Sequence, residues 1–317
     1  MITHGAVATG IRRSTYECDC PGSSKMRKKK GLWPACYPMC NAMIRLTDFD
    51  DPRFDPYRNL RDKQLADTGR FIAEGRRVTE RLLASRLAVE SVLTDERRAG
   101  EIAPLVGDRA PLYVVPQEVM SRIAGFEIHT GVLAIGLRPA PLTREGLLSR
   151  ATPPYTLLVA PILKEPANLG ALIRTAAAFG ATGLLLGPRC CDPFLRRVIR
   201  VSMATVFRLP IVISEDLPQD LLRLRERWNV ELCATVLAPD AEPLQSAQRS
   251  PGRSGTAIML GHEVEGLDAQ TVALCDRKIT IPMHLGTDSL NISVAAAVCC
   301  YHFLAPQEPI RLPEAGP

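Results

Sequence analysis

From about Asp50 onward the apolar positions of this chain fall into short, separated runs, and their spacing changes character near residue 150. In the first stretch Phe71 and Ile72 enter a short strand, and Val78, Leu82 and Leu83 then repeat at the four-then-one spacing of a helix face. Strand-like runs follow at 88–93, 112–115 and 131–137, with a short helix predicted over 117–123 between the last two. This predicts a small α/β domain over 46–140, closed by the proline-bearing linker Arg138-Pro139-Ala140-Pro141 ahead of Pro153-Pro154. Beyond it the runs become continuous. Strands are predicted at 155–160, 183–186, 207–213, 230–236, 256–260 and 278–281, and helices at 169–179, 193–202, 218–228, 268–275 and 289–304. Such alternation favours a parallel sheet covered on both faces, in a second domain over 150–310.

Residues 1–45 show almost no periodicity and read as a disordered, basic, cysteine-containing tail, or as an overextended reading frame with Met43 as the true start. Its basic run, residues 25–30, is either solvated or touches RNA. No signal peptide is predicted, because prolines break the stretch 31–40. Cys18 and Cys20, with Cys36 and Cys40, have spacings that could hold zinc, but no second cue supports it and no metal is expected. Cys190, Cys191, Cys233, Cys275, Cys299 and Cys300 lie in or beside apolar segments and read as reduced thiols, which places the chain in a reducing, cytoplasmic compartment. The longest apolar run, 293–306, is short of the roughly 18 residues that span a bilayer, so no membrane partner is expected. The 317 residues, 46% apolar and 23% charged, allow about two globular domains. Seven Lys and 32 Arg, against 34 Asp and Glu, give a net charge of +5 with a strong skew to Arg. That skew suits an RNA or nucleotide partner, although a GC-rich genome produces it too.

In a parallel α/β domain reactive residues collect beyond the carboxyl ends of strands, and three such loops here are rich in Gly and polar side chains. The first leads into Asn168-Leu169-Gly170-Ala171-Leu172-Ile173-Arg174. Asn168 is placed to cap the helix, and Arg174, close to two turns on, faces the same cleft and is set among apolar neighbours. In the second, Gly261-His262-Glu263-Val264-Glu265-Gly266, two glycines let the backbone turn sharply and approach a ligand, though such turns are often only structural. In the third, Ser289 is the expected N-cap, with Leu290, Val294, Ala297 and Tyr301 lining one helix face. Asn291 sits near the helix dipole's positive end, and Met283 and His284 read as loop fillers. No Walker loop, dinucleotide fingerprint, zinc-deaminase pattern or G-x-S-x-G occurs.

In this order and separation the stretches N-L-G-A-L-I-R-T-A-A-A-F-G at 168–180, L-G-H-E-V-E-G-L at 260–267, and I-P-M through S-L-N-I-S-V-A-A-A at 281–297 resemble the three signatures of the SpoU (TrmH-like) RNA ribose methyltransferases of the SPOUT superfamily. Arg200-Val201-Ser202-Met203-Ala204 with Phe207 resembles the family's R-x-S-x-G-A-x-F segment. Residues 69–78 and 129–135 are more loosely similar to its substrate-binding module. The resemblance implies an α/β fold with a trefoil-knotted methyltransferase domain preceded by a small α/β substrate-binding domain. It also implies S-adenosyl-L-methionine as methyl donor, a homodimer, and structured ribosomal or transfer RNA as substrate. Carried over by motif, Gly261, Ile281, Met283 and Leu290 hold the donor, while Asn168, Arg174, Glu263, Ser289 and Asn291 surround the methyl and the target ribose. Family accounts cast the Arg as base. A guanidinium stays protonated, so Arg174 is read here as gripping RNA phosphate and stabilising alkoxide charge, with Asn168, Ser289 and Asn291 orienting the acceptor. The alternatives are a non-catalytic RNA-binding homologue and a base-nitrogen methyltransferase. This chain departs from the pattern at His262, where the family usually has Asn, at Ala204-Thr205, where Gly-Ala is typical, and at Arg189-Cys190-Cys191.

Overall fold

A computed structural model describes residues 43–58, 62–125, 130–262 and 264–304. The cysteine pairs of residues 1–42, the basic run and Glu263 lie outside them. The front region holds β1 (Met43–Arg45), α1 (Asp62–Asp67), β2 (Arg70–Glu74), α2 (Arg76–Leu83), β3 (Val89–Asp95), α3 (Ala99–Val106), β4 (Leu112–Val115), α4 (Gln117–Ala124) and β5 (Val132–Leu137). Its five strands lie in the order β1-β4-β3-β5-β2, with β5 antiparallel to both its neighbours and the other pairs parallel.

Three expectations change here. Residues 43–45, expected within the tail, form β1 and pair with β4. Helices α1 and α3 have no counterpart in the apolar periodicity. Gly100 and Pro104 argue against a helix over 99–106, yet Ala99, Ile102 and Val106 are buried, and packing of that face overrides weak propensity. The linker after residue 140 is not free chain. It contains α5 (Arg144–Leu148), capped by Thr143, whose hydroxyl accepts from Gly146 N at 3.0 Å, and it buries Leu147 and Leu148.

The second region runs β6 (Tyr155–Ala160), α6 (Pro166–Phe179), β7 (Gly183–Leu186), α7 (Arg196–Val201), β8 (Ile211–Ile213), α8 (Leu217–Trp228), β9 (Val230–Thr235), β10 (Glu242–Pro243), β11 (Gly255–Met259), α9 (Ala269–Leu274), β12 (Arg277–Thr280) and α10 (Ile292–Leu304). All seven strands are parallel, in the order β10-β12-β9-β11-β6-β7-β8. Every residue of β6, β7 and β11 is buried, which accounts for their unbroken apolar runs. Successive side chains alternate between faces: Leu158 and Ala160 pack under α6, α7 and α10, whereas Leu157 and Val159 pack with residues of α5 and α8. The predicted strand 207–213 is shortened to 211–213. Thr205–Phe207 closes a 3-10 turn, and Pro210, having no N–H, offers only its carbonyl, which accepts from Leu184 N.

The two regions share a core. Phe71 of β2 stacks with Phe194 and Phe207, at centroid separations of 5.1 and 5.3 Å. Arg138 pairs with Asp192 at 2.7 Å, and Asp62 accepts from the backbone N of Arg196 at 3.1 Å.

Candidate active site

The carboxyl ends of β6, β9, β11 and β12 share one edge of the parallel sheet, and the predicted loops leave from that edge. Two of them, 260–267 and 281–292, enclose a pocket of about 450 Å³ whose lining includes Gly261, Ile281, Met283, Ser289 and Leu290. A side chain on Gly261 would bring its Cβ within 2.8 Å of the Gly266 carbonyl carbon, so the loop closes only because residue 261 has none. The closure is a two-bond bridge, His262 N to Gly266 O at 3.0 Å and Gly266 N to His262 O at 2.9 Å. His262, in the family's Asn position, supplies a ring-nitrogen acceptor to the loop: its Nδ1 lies 3.4 Å from Val264 N and 3.5 Å from Glu265 N.

The structure reassigns both expected caps. Pro166 at the first turn fixes the start of α6, and Glu165 is its N-cap, accepting from Ala167 N at 3.3 Å; Asn168 lies inside the helix. Ser289 stays in the irregular loop, 3.4 Å from Asp288, and α10 starts three residues later. Asn291 caps α10, its Oδ1 accepting from Ser293 N at 3.0 Å and Ser293 Oγ at 2.7 Å. With its acceptor end held, Asn291 donates from Nδ2 to Asn168 Oδ1 at 2.9 Å. The first and third motifs therefore meet at this pair. The buried face of α10 is Ile292, Ala296, Cys299 and Cys300; Val294 and Tyr301, expected on one face, are exposed.

Arg174 is not brought to the pocket. Six helical residues carry it about 9 Å along and about 240° around α6 from Asn168, so the two point into different clefts. Arg174 lines a separate hollow of about 640 Å³ with Arg77, Arg81 and Arg208. Spacing by whole turns of about 3.6 residues would have revealed this. Thr235, outside the motifs, and Glu265 and Asp288, within them but given no role by the resemblance, also line the pocket. Thr235 was signalled by its place at the carboxyl end of β9, where its Oγ1 donates to Met259 O at 2.7 Å.

The pocket's chemistry fits S-adenosylmethionine. Its volume lies in the ~300–1,000 Å³ range of small-ligand sites. Leu260, Ile281 and Leu290 offer apolar walls to a purine, and the N–H groups of Met283 and Leu290 have no backbone partner among the described residues. Among the described residues Asp288 and Glu265 are its acidic lining and no Lys or Arg lines it, which suits a cationic sulfonium. Among the described residues no cluster of His, Cys, Asp or Glu could hold a metal ion, and no helix is long and apolar enough to cross a membrane.

A parallel sheet with an apolar, carboxylate-edged pocket at its carboxyl edge is that of a ligand-binding α/β protein. The SpoU rRNA Methylase family model matches residues 156–301. The chain is 34% identical over 261 residues to an uncharacterized tRNA/rRNA methyltransferase of Mycobacterium bovis, spanning 80% of this chain and 89% of that one. It is 29% identical over 241 residues to the 23S rRNA (guanosine(2553)-2'-O)-methyltransferase RlmP of Bacillus subtilis, spanning 76% of this chain and 90% of that one. In fold it resembles the AdoMet-bound rRNA methyltransferase of Sinorhizobium meliloti, with a TM-score of 0.69, 24% identity, and coverage of 81% of this chain and 96% of that chain. The chain belongs to the SpoU rRNA methylase family.

Proposed function

We propose that this protein transfers a methyl group from S-adenosyl-L-methionine to a ribose 2'-hydroxyl of structured ribosomal or transfer RNA, working as a homodimer in the cytoplasm. The observation that carries the reading is the junction of all three motifs: the loops around Gly261 and Leu290 form one pocket, and the Asn291–Asn168 hydrogen bond ties α6 to α10, whose first turn lines that pocket. The relative named as a ribose 2'-O-methyltransferase of 23S rRNA supports the ribose oxygen as acceptor. When bound, the donor supplies an electrophilic methyl on a sulfonium. The chain's task is then to align the acceptor oxygen with that methyl, so that the O–C bond forms as the S–C bond breaks and the hydroxyl proton passes to solvent water. Gly261, Ile281, Met283 and Leu290 hold the donor by shape and backbone groups, Ser289 and the Asn291–Asn168 pair orient the ribose, and Glu263 is assigned to the methyl and ribose by its motif alone. Arg174 grips RNA phosphate.

A trefoil knot in the carboxyl-terminal stretch is part of this reading. It is supported by β11 lying between β6 and β9, and by α10 packing back on α6 after the chain has passed through β12. The front region is the substrate-binding domain, joined to the other by a shared core. An exposed apolar stripe on α10, Val294, Val298 and Tyr301, with Tyr301 edge-on to Phe179 at 6.5 Å, is the surface a second copy covers. Mapping 2'-O-methyl sites in total RNA with and without the gene tests the activity. One lost site is expected; no lost site, with purified protein that binds RNA but not the donor, would instead mark a non-catalytic homologue.

A further inference from the structure

Among the described residues the hollow that receives Arg174 is lined by four arginines and no carboxylate. Arg77 and Arg81 come from α2 of the front region, Arg174 from α6, and Arg208 follows the turn after α7. Arg77 and Arg81 are one turn apart on the same helix, an arrangement of like charges that weakens a helix unless an anion lies between them. Their neighbour Arg76 shows the contrast, since it reaches Glu80 at 2.8 Å and Glu101 at 3.1 Å. Arg77, Arg174 and Arg208 have no ion pair among the described residues, and Arg81 is steered toward the hollow by donating to the Met203 carbonyl. The turn that presents that carbonyl is strained: Met203 and Ala204 hold left-handed backbone with φ of 51° and 62°. Such strain persists where the surroundings demand it, most often at functional sites.

We propose that Arg77, Arg81, Arg174 and Arg208 form one cleft for the phosphate backbone of an RNA segment, gripped jointly by the front region and the parallel-sheet region. The assignment rests on the RNA-methyltransferase reading. Guanidinium groups hold phosphate as bidentate forks, and four of them spread over two regions suit a chain of repeating charge better than a single anion. The rest of the lining, chiefly Ala177, Ala178, Ala181 and Pro210, contains no aromatic ring on which a base would stack. The cleft therefore positions RNA without reading its sequence. It also gives the front region a specific task, which is to complete the grip.

The test is fluorescence anisotropy of the full chain with a labelled single-stranded RNA of about 20 nucleotides, titrated in salt, for wild type and the Arg77→Gln/Arg81→Gln/Arg208→Gln variant. With about 0.7 counterions released per single-strand phosphate contact, the slope of log K against log salt should shrink by about 2, and affinity should fall at least about tenfold. Donor binding by calorimetry should not change. Should the triple variant misfold, Arg77→Gln and Arg208→Gln alone, one from each region, should each reduce the slope by about 0.7. Unchanged slope and affinity in these variants would overturn the proposal, as would a polyglutamate peptide competing as well as unlabelled RNA. Wild-type protein with no RNA affinity would instead remove the RNA-methyltransferase reading, and the cleft with it.

Discussion

The donor pocket is lined in part by the start of α10 and the arginine cleft by α6, on which α10 packs, and the two are made of opposite materials. The pocket has carboxylates, apolar walls and backbone groups, and its shape depends on a residue without a side chain. Among the described residues the cleft has four long cations and no carboxylate. One suits a small cation held by fit, the other a large polyanion held by charge. Fit fails abruptly when a single atom is misplaced, whereas a row of charges weakens by steps. The two should thus respond to substitution in different ways.

The largest effect is expected at Gly261. In Gly261→Val the new side chain meets backbone rather than a yielding side chain, and the loop must shift. Displacement on this scale costs about a hundredfold in a positioned site, so calorimetry should show donor binding weakened by about that factor or more. RNA affinity should stay the same; its parallel loss would mean that the two clefts are one. Asn291 comes next. Asn291→Ala removes a helix cap and the link to Asn168, and should cost about 1 kcal/mol of stability in thermal unfolding. Asn291→Ser keeps a capping oxygen but not the link to Asn168. It should unfold near the wild-type temperature while methyl transfer falls about tenfold or more, as for an orienting group removed from the reacting centre. Equal activity in Asn291→Ser would confine the residue to capping.

Alkaline pH separates the two regions further. All six cysteines among the described residues lie in the parallel-sheet region. Burial pushes the Cys299 and Cys300 thiols up to about 12, and Cys190, Cys191 and Cys275 up to about 11. The folded state holds these protons more tightly than the unfolded chain does, where thiols titrate near 9. The stabilisation is complete below about pH 9 and is lost as pH rises toward 11–12. Unfolding in that window should begin in the parallel-sheet region, seen as earlier loss of amide protection in β9 and α10 than in β3 and β5. Simultaneous loss would show that the shared core makes the molecule one cooperative unit.

The parallel sheet was legible because strands buried on both faces leave continuous apolar runs, and β6 and β7 fall where the pattern put them. The front region was less so. Its α3 carries Gly100 and Pro104, and only tertiary burial of Ile102 and Val106 makes it helical. The donor loops were legible as motifs, but their local geometry was not. Leu290 lines the pocket instead of starting the helix, which moves the cap from Ser289 to Asn291. The arginine cleft had no linear signature, because Arg77, Arg174 and Arg208 come from three separate segments that only the shared core brings together.

The smallest effect, at Ala204, asks whether the cleft depends on its strained turn. The residue sits at φ 62° and ψ 14°, where the family segment carries Gly. Left-handed backbone costs a side-chain-bearing residue about 1–2 kcal/mol, which Ala204→Gly would release. Against this, the Ala204 methyl is buried in the shared core, and removing it forfeits about 0.8 kcal/mol, with a further loss from the freer unfolded chain. These terms nearly cancel, so the unfolding midpoint should move by no more than about 2 °C. The turn itself would loosen, and with it the Met203 carbonyl that steers Arg81. RNA affinity should therefore fall about twofold to threefold at unchanged stability, a loss on the scale of one weakened phosphate contact. If affinity is unchanged, Arg81 finds its place without the strain, and the cleft rests on charge alone.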